Sequence, residues 1–231
     1  MVYDIEHGPA FAWLRVGLGP GERIVAEAGA MVRQSTKLEV ETRLNASRKG
    51  GFLGLIVALF VALLRRAFGG ETMFVNEFWG PEGGEVVLAP KLSGHITRKT
   101  LDGARTLFVQ TGGYLASTPG IDTRLRFGGL RTLFGGEGLM LLQCSGQGDV
   151  FVNSYGGITE VRVDGKFVVD TGHIVAFDGA LDFKVRSIGG ATSFLFSGEG
   201  LVCEFQGRGS VFIQSRNLAA LRGWVTPLLP P

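Results

Sequence analysis

The sequence predicts an all-β protein: three tandem β-sandwich units, with one short apolar helix inserted in the first. Three observations carry that prediction. Long segments repeat along the chain, short runs rich in Val, Phe and Ile are bounded by Gly or Asp, and glycine accounts for 37 of 231 residues with no Gly-X-Y period. That glycine usage excludes collagen and favours many tight turns between short strands.

The repeat is clearest between "GEGLMLLQCSGQGDVFVNS" (136–154) and "GEGLVCEFQGRGSVFIQS" (198–215), which match with a one-residue gap. Each reads as Gly-Glu-Gly-Leu, an apolar strand, a Gly-x-Gly turn (Gly146 and Gly148, Gly207 and Gly209) and a second apolar strand. A weaker copy, "GETMFVNEFWGPEGGEVVLA", covers 70–89 with a turn two residues longer. A second recurring element sets a glycine between apolar flanks: Gly29 in "VAEAGAMV", Gly112 in "VQTGGYLA" and Gly172 in "VDTGHIVA". The distance from that glycine to the next Gly-Glu is 24 residues in the second copy, 26 in the third and 41 in the first. About sixteen residues are therefore inserted in the first copy.

The repeated segments read as strands of four to seven residues, as "DVFVNS", "SVFIQS" and "EVVLAP" illustrate. In "TEVRVDGKFVVD" Val161 and Val163 alternate with Glu160, Arg162 and Asp164, and Asp164-Gly165 predicts a hairpin turn. The expected units are 1–92, 93–156 and 157–231, packed as a single assembly because no long linker separates them.

The insertion contains "GFLGLIVALFVALL" from Gly51 to Leu64, fourteen residues without a charge, between Arg48-Lys49 and Arg65-Arg66. Length and Leu/Ala content predict a helix over about 50–68. Fourteen helical residues span about 21 Å, short of a hydrocarbon core of about 30 Å. Being apolar all round, the segment is expected to bury Phe52, Leu53, Leu55, Ile56, Leu59, Phe60 and Leu63 against other chains or in lipid, with Arg65 and Arg66 at the boundary.

Composition narrows the function classes. Apolar residues make up 45% and charged residues 19%, which excludes general disorder. A net charge of +2 is too small to advertise nucleic-acid binding, which normally needs a concentrated basic face. Cys144 and Cys203 are too few for a disulfide framework and read as buried thiols. "MVYDIEHGPAFAW" lacks a basic n-region followed by an apolar h-region, so a cytoplasmic location, peripheral to a membrane, is the expectation.

No constellation for catalysis appears. Asp170-Thr171-Gly172 has the aspartic-protease tripeptide, but such enzymes need two carboxylates sharing a proton. The repeat equivalents of Asp170 are Glu27 and Gln110, so a turn-capping role is expected. Of the three histidines, His7, His95 and His173, the last two lie in different elements with no Cys, Asp or Glu at ligand spacing around either. "GLGPG" (17–21), "GQG" and "GRG" lack the helix and Lys-Ser/Thr of a phosphate loop and read as turns. Arg124, Arg126 and Arg131 read as a solvated face or subunit contact. No enzyme activity, cofactor or metal is expected.

Six landmarks in order, "AEAGAMV", "FGGETMFVNEF", "VVLAPKLSGHI", "GGYLAS", "VDTGHIVAFD" and "GEGLVCEFQGRGSVFIQSR", resemble the altered-inheritance-of-mitochondria, or mitochondrial biogenesis, family. The resemblance implies a fold like the tryptophan RNA-binding attenuation protein (TRAP-like), a short double-stranded β-helix, with three such units per chain and three chains closing a ring. It departs in the apolar run, which relatives carry in a shorter and more amphipathic form. The expected function is a non-enzymatic, ring-forming scaffold or assembly factor, a homotrimer that contacts lipid or a membrane protein through 51–64. The alternative is a small-molecule sensor or RNA-binding regulator holding its ligand between β units, as the attenuation protein does. Nucleic acid is the less favoured partner, because few lysines are present and no basic cluster recurs at repeat-equivalent positions.

Overall fold

The computed structural model describes residues 1–44, 74–128, 139–187 and 201–229. Within them the chain is almost wholly β. The strands are β1 (Val2–Glu6), β2 (Trp13–Leu18), β3 (Arg23–Glu27), β4 (Met31–Gln34), β5 (Glu39–Leu44), β6 (Phe74–Trp79), β7 (Gly84–Leu88) and β8 (Ile96–Asp102). They continue as β9 (Leu107–Gln110), β10 (Tyr114–Ser117), β11 (Ile121–Gly128), β12 (Leu139–Asn153), β13 (Ile158–Asp170), β14 (Ile174–Asp178), β15 (Asp182–Ser187) and β16 (Leu201–Gln214). A single α-helix, α1 (Leu218–Val225), follows β16 among the described residues. The apolar segment 51–64, with the helix expected there, lies outside the described residues.

One pairing scheme recurs three times. In the first strand group β2 and β4 flank β7 while β3 and β5 flank β6. In the second, β12 does the work of both central strands: β8 and β10 pair with its C-terminal half, β9 and β11 with its N-terminal half. In the third, β13 is also continuous, pairing with β16 along its whole length, and β14 and β15 take the two halves of β16 on the other side. All these pairs are antiparallel, so each group folds back on itself as two short sheets sharing a bent central ribbon.

Two sequence expectations are corrected here. Asp164-Gly165 is no hairpin: β13 runs straight through it, with Asp164 opposite Arg208 and Gly165 opposite Gly207. Gly165 and Gly207 have φ of 110° and 121°, so the two strands kink together where the ribbon passes from one sheet to the other. Tertiary pairing along thirteen residue pairs outweighs the local turn preference of Asp-Gly. Likewise Gly146 and Gly148 (φ 109° and 149°) bend β12 without reversing it, and Gly207 with Gly209 bends β16. Only in the first group does the corresponding stretch, Gly80 to Gly83, interrupt the strand.

Alternation decides which face is buried. In β2 Leu14, Val16 and Leu18 point inward while Trp13, Arg15 and Gly17 are half-exposed; β3 does the same with Ile24 and Ala26. The core is continuous across groups. Leu14, Ile24, Phe78 and Leu88 of the first group pack with Leu115 and Phe151 of the second. Leu107, Val109 and Tyr114 of the second pack with Val175 and Phe212 of the third. Phe177 stacks on Phe108 at 5.2 Å between centroids and meets Phe205 edge-on at 4.9 Å. Shared cores of this kind make separation of the groups costly, because each would expose a face that its neighbour now covers.

Candidate docking edges

Neighbouring groups join by one repeated contact. β10 pairs with β3, Ala116 opposite Ala26 and Ser117 opposite Val25. β14 pairs with β9, Ala176 opposite Val109 and Phe177 opposite Phe108. Counted from the corner glycines, these are the same positions: four and five residues after Gly112 or Gly172 meet three and four residues before Gly29 or Gly112. The strand entering each junction carries the same bulge, at Tyr114/Ala116 in β10 and Ile174/Ala176 in β14. The bulged residues, Leu115 and Val175, are wholly buried. At the first junction Ala116 faces Ala26 and at the second Ala176 faces Val109, and all four side chains are fully buried.

Each half of that contact also exists once without its counterpart. β4 has the same bulge, at Met31/Arg33, and pairs with β7 alone among the described residues. The C-terminal end of β13, from Phe167 to Asp170, pairs with β16 alone. At the bulge of β4, Val32 is 50% exposed and Met31 45%, where their counterparts Leu115, Tyr114, Val175 and Ile174 are at most 2% exposed. Val168, on the free edge of β13, is 46% exposed. An unpaired strand edge flanked by apolar side chains is a template for another strand.

Polar devices support these strands. A side-chain oxygen six residues after each corner glycine accepts a backbone N–H from the central ribbon: Ser35 Oγ from Glu85 at 2.9 Å, Thr118 Oγ1 from Asp149 at 3.0 Å, Asp178 Oδ2 from Ser210 at 2.7 Å. In each group an arginine of an edge strand reaches a polar partner on the adjacent central strand. Arg43 lies 2.8 Å from Glu77, Arg126 Nε donates to Gln143 at 2.8 Å, and Arg186 Nε donates to Glu204 at 3.1 Å. Arg126 is thus part of a repeated contact, Arg124 pairs with Asp122, and Arg131 is outside the described residues.

The residues that tempt a catalytic reading are occupied by the backbone. Asp170 Oδ1 accepts the Gly172 N–H at 2.7 Å, which makes it the cap of the 3-10 turn Thr171–His173. His173 Nδ1–H donates to the Gln214 carbonyl at 2.7 Å, so its Nε2 accepts from Asn217 Nδ2 at 2.9 Å. His95 sits half-buried in the connection before β8, and His7 meets Trp13 edge-on at 4.7 Å. Cys144 and Cys203 are fully buried, and burial pushes both thiols up to about 12. Among the described residues no group of three or more His, Cys, Asp or Glu could hold a metal ion. No helix among them is long and apolar enough to cross a membrane.

The sequence-predicted contact residues Phe52, Leu53, Leu55, Ile56, Leu59, Phe60, Leu63, Arg65 and Arg66 lie outside the described residues. The corner glycines Gly29, Gly112 and Gly172 lie at the bends leading into β4, β10 and β14. The docking edges escaped sequence reasoning, although a signal was present. Three residues after each corner glycine stands an apolar residue, Val32, Leu115 or Val175, and nothing local distinguishes the exposed one.

Comparison with known proteins agrees over the whole chain. An uncharacterised protein of Streptococcus pyogenes serotype M6 is 29% identical over 233 aligned residues, which span 100% of this chain and 92% of that protein. A crystal structure of a Streptococcus pyogenes protein, 26% identical, superposes with a TM-score of 0.81 and covers 99% of both chains. The sequence model of the mitochondrial biogenesis AIM24 family matches residues 3–216. Through that match, which takes in all three strand groups, the chain belongs to the mitochondrial biogenesis AIM24 family.

Proposed function

We propose that this protein is a non-enzymatic scaffold that assembles head to tail, β13 of one copy pairing with β4 of the next, until three copies close a ring. Each strand group is then one TRAP-like unit, and the ring is a continuous series of such units. The observation that carries the reading is the register. Two internal junctions use identical positions, and extending the count sets Val169 opposite Arg33 and Val168 opposite Gln34 of the next copy. The edges differ, so the contact is heterologous, and such contacts form either rings or open filaments. The buried apolar residues paired at both internal junctions, Ala26, Ala116, Val109 and Ala176, support a scaffold over a sensor that holds a small molecule between units.

A second reading concerns the membrane. The segment 51–64 lies between β5 and β6, the same place that 129–138 takes between β11 and β12, and 188–200 between β15 and β16. All three connections carry apolar residues in sequence, and in the first the basic pair Arg65-Arg66 follows the apolar run, a composition suited to an anionic lipid surface. Deleting 52–64 is expected to abolish flotation with anionic vesicles while leaving assembly intact. A deletion variant that floats like the parent sinks the lipid reading.

The assembly test is Val32→Glu. Val32 is half-exposed in the single chain, so the substitution spares its fold. Buried in the junction, an unpaired carboxylate costs at least about 2 kcal/mol, or roughly a thirtyfold weaker association. Light scattering coupled to gel filtration is expected to give three chain masses for the parent and one for the variant at the same concentration. A parent that stays monomeric, or a variant that assembles equally well, refutes the head-to-tail reading.

A further inference from the structure

We propose that α1 is a clasp: it closes over the first strand group of the next copy and covers Phe11, Met31 and Val32 there. The inference rests on the head-to-tail reading and adds a second contact to it.

Topology places the helix at the junction. After β7, residues 89–95 carry the chain across to β8; after β12, residues 154–157 carry it across to β13. These crossings are stitched to their neighbours by matching bonds. Ala12 N donates to the Gly94 carbonyl at 3.0 Å, and His95 N donates to the Gly156 carbonyl at 3.1 Å. By that count Phe11 holds the position of Gly94 and Gly156, yet it is 73% exposed. After β16 the chain instead passes through Ser215, Arg216 and Asn217 into α1. The helix thus stands where the crossing to a following group would run.

Its anchor fixes which way it serves. Asn217 Oδ1 caps the helix by accepting the Ala220 N–H at 2.7 Å, while its Nδ2 is held by His173. His173 is the corner between β13 and β14, three residues beyond Asp170, where the free edge of β13 ends. Carrying the junction register on by two residues brings Val32 and Met31 of the next copy alongside Asp170 and Thr171, next to that anchor.

The apolar surface is divided between the two ends in the way this contact needs. Of ten large hydrophobic side chains exposed among the described residues, Leu218, Trp224, Leu228 and Leu229 belong to α1 and the turn after it. Phe11, Met31 and Val32 belong to the opposite end, Val168 to the free edge itself, and the remaining two, Val2 and Val40, to β1 and β5. A helix meant for lipid alone has no need of a matching apolar set at the far end of the same chain. At internal junctions a covalent crossing holds the groups together. At the intermolecular one an apolar helix substitutes for it.

Removing residues 218–231 keeps every strand and tests the clasp. Sedimentation velocity is expected to give an assembly dissociation constant at least tenfold higher than that of the full chain. Trp224 emission, isolated by subtracting the Trp224→Phe spectrum, is expected to move to shorter wavelength as concentration rises through assembly, and to stay put in Val32→Glu. If the truncated and full chains assemble with the same constant, the clasp is wrong and the head-to-tail reading stands. If the full chain never assembles, both are wrong. If Trp224 shifts only when phosphatidylcholine–phosphatidylglycerol vesicles are added, α1 is a lipid contact and the clasp is overturned.

Discussion

Cys144 and Cys203 illustrate what burial does to a single side chain. Both thiols are held near 12, against an ordinary value of about 8.5. The folded chain keeps its protons at a pH where the unfolded chain has lost them, so each thiol contributes fully below about 8.5. That contribution is lost as pH rises toward 12, at about 1.4 kcal/mol per pH unit. The urea midpoint is expected to fall between pH 8 and pH 10.5, and to fall less in a Cys144→Ala/Cys203→Ala variant. Tyr114, fully buried and raised mainly by desolvation, adds to the same trend. In native protein at pH 8 both cysteines are expected to resist a thiol reagent, and to react once urea unfolds the chain.

The strands are stabilised by repeated small devices more than by any one bond. The oxygen of Ser35, Thr118 or Asp178 satisfies a ribbon N–H at the point where the ribbon bends and would otherwise leave it unpaired. Thr118→Val removes one such acceptor at nearly constant volume. The expected loss is about 1 kcal/mol in the free energy of unfolding, while exposed Thr36→Val stays within roughly 0.5 kcal/mol. Equal losses for the two would show that the Thr118 hydroxyl contributes nothing specific. Glycine 94 marks a closer approach: a Cβ there would lie 1.9 Å from the Ser154 carbonyl oxygen. That backbone contact is why the connection between groups needs a glycine at that point.

For the whole molecule the question is what the two end edges meet. Pairing them buries Val32, Met31 and Val168, and couples folding to association by mass action. The melting temperature is therefore expected to rise by roughly 2–4 °C for each tenfold increase in concentration. Val32→Glu should melt at one temperature throughout the same range. A parent whose melting temperature ignores concentration would argue that its ends stay free.

The sequence by itself determined the β class, the recurrence of strand segments and the corner glycines. All three are local: apolar alternation, β-branched content and the glycine-bearing turns act over a few residues. It also determined that segment 51–64 is an addition to one repeat, since spacing between equivalent glycines is a matter of counting. Asp170 as a turn cap was legible for the same reason, its partner being two residues away. Tertiary structure alone decided whether a glycine reverses the chain or bends it. Asp164-Gly165 and Gly146–Gly148 look like turns, yet each stays in its strand because partners on both sides of the bend hold it extended. It also decided that Val32 is exposed while Leu115 and Val175 are buried. Those three residues sit in equivalent local settings, and their fates differ because, among the described residues, only Leu115 and Val175 lie in strands paired on both sides.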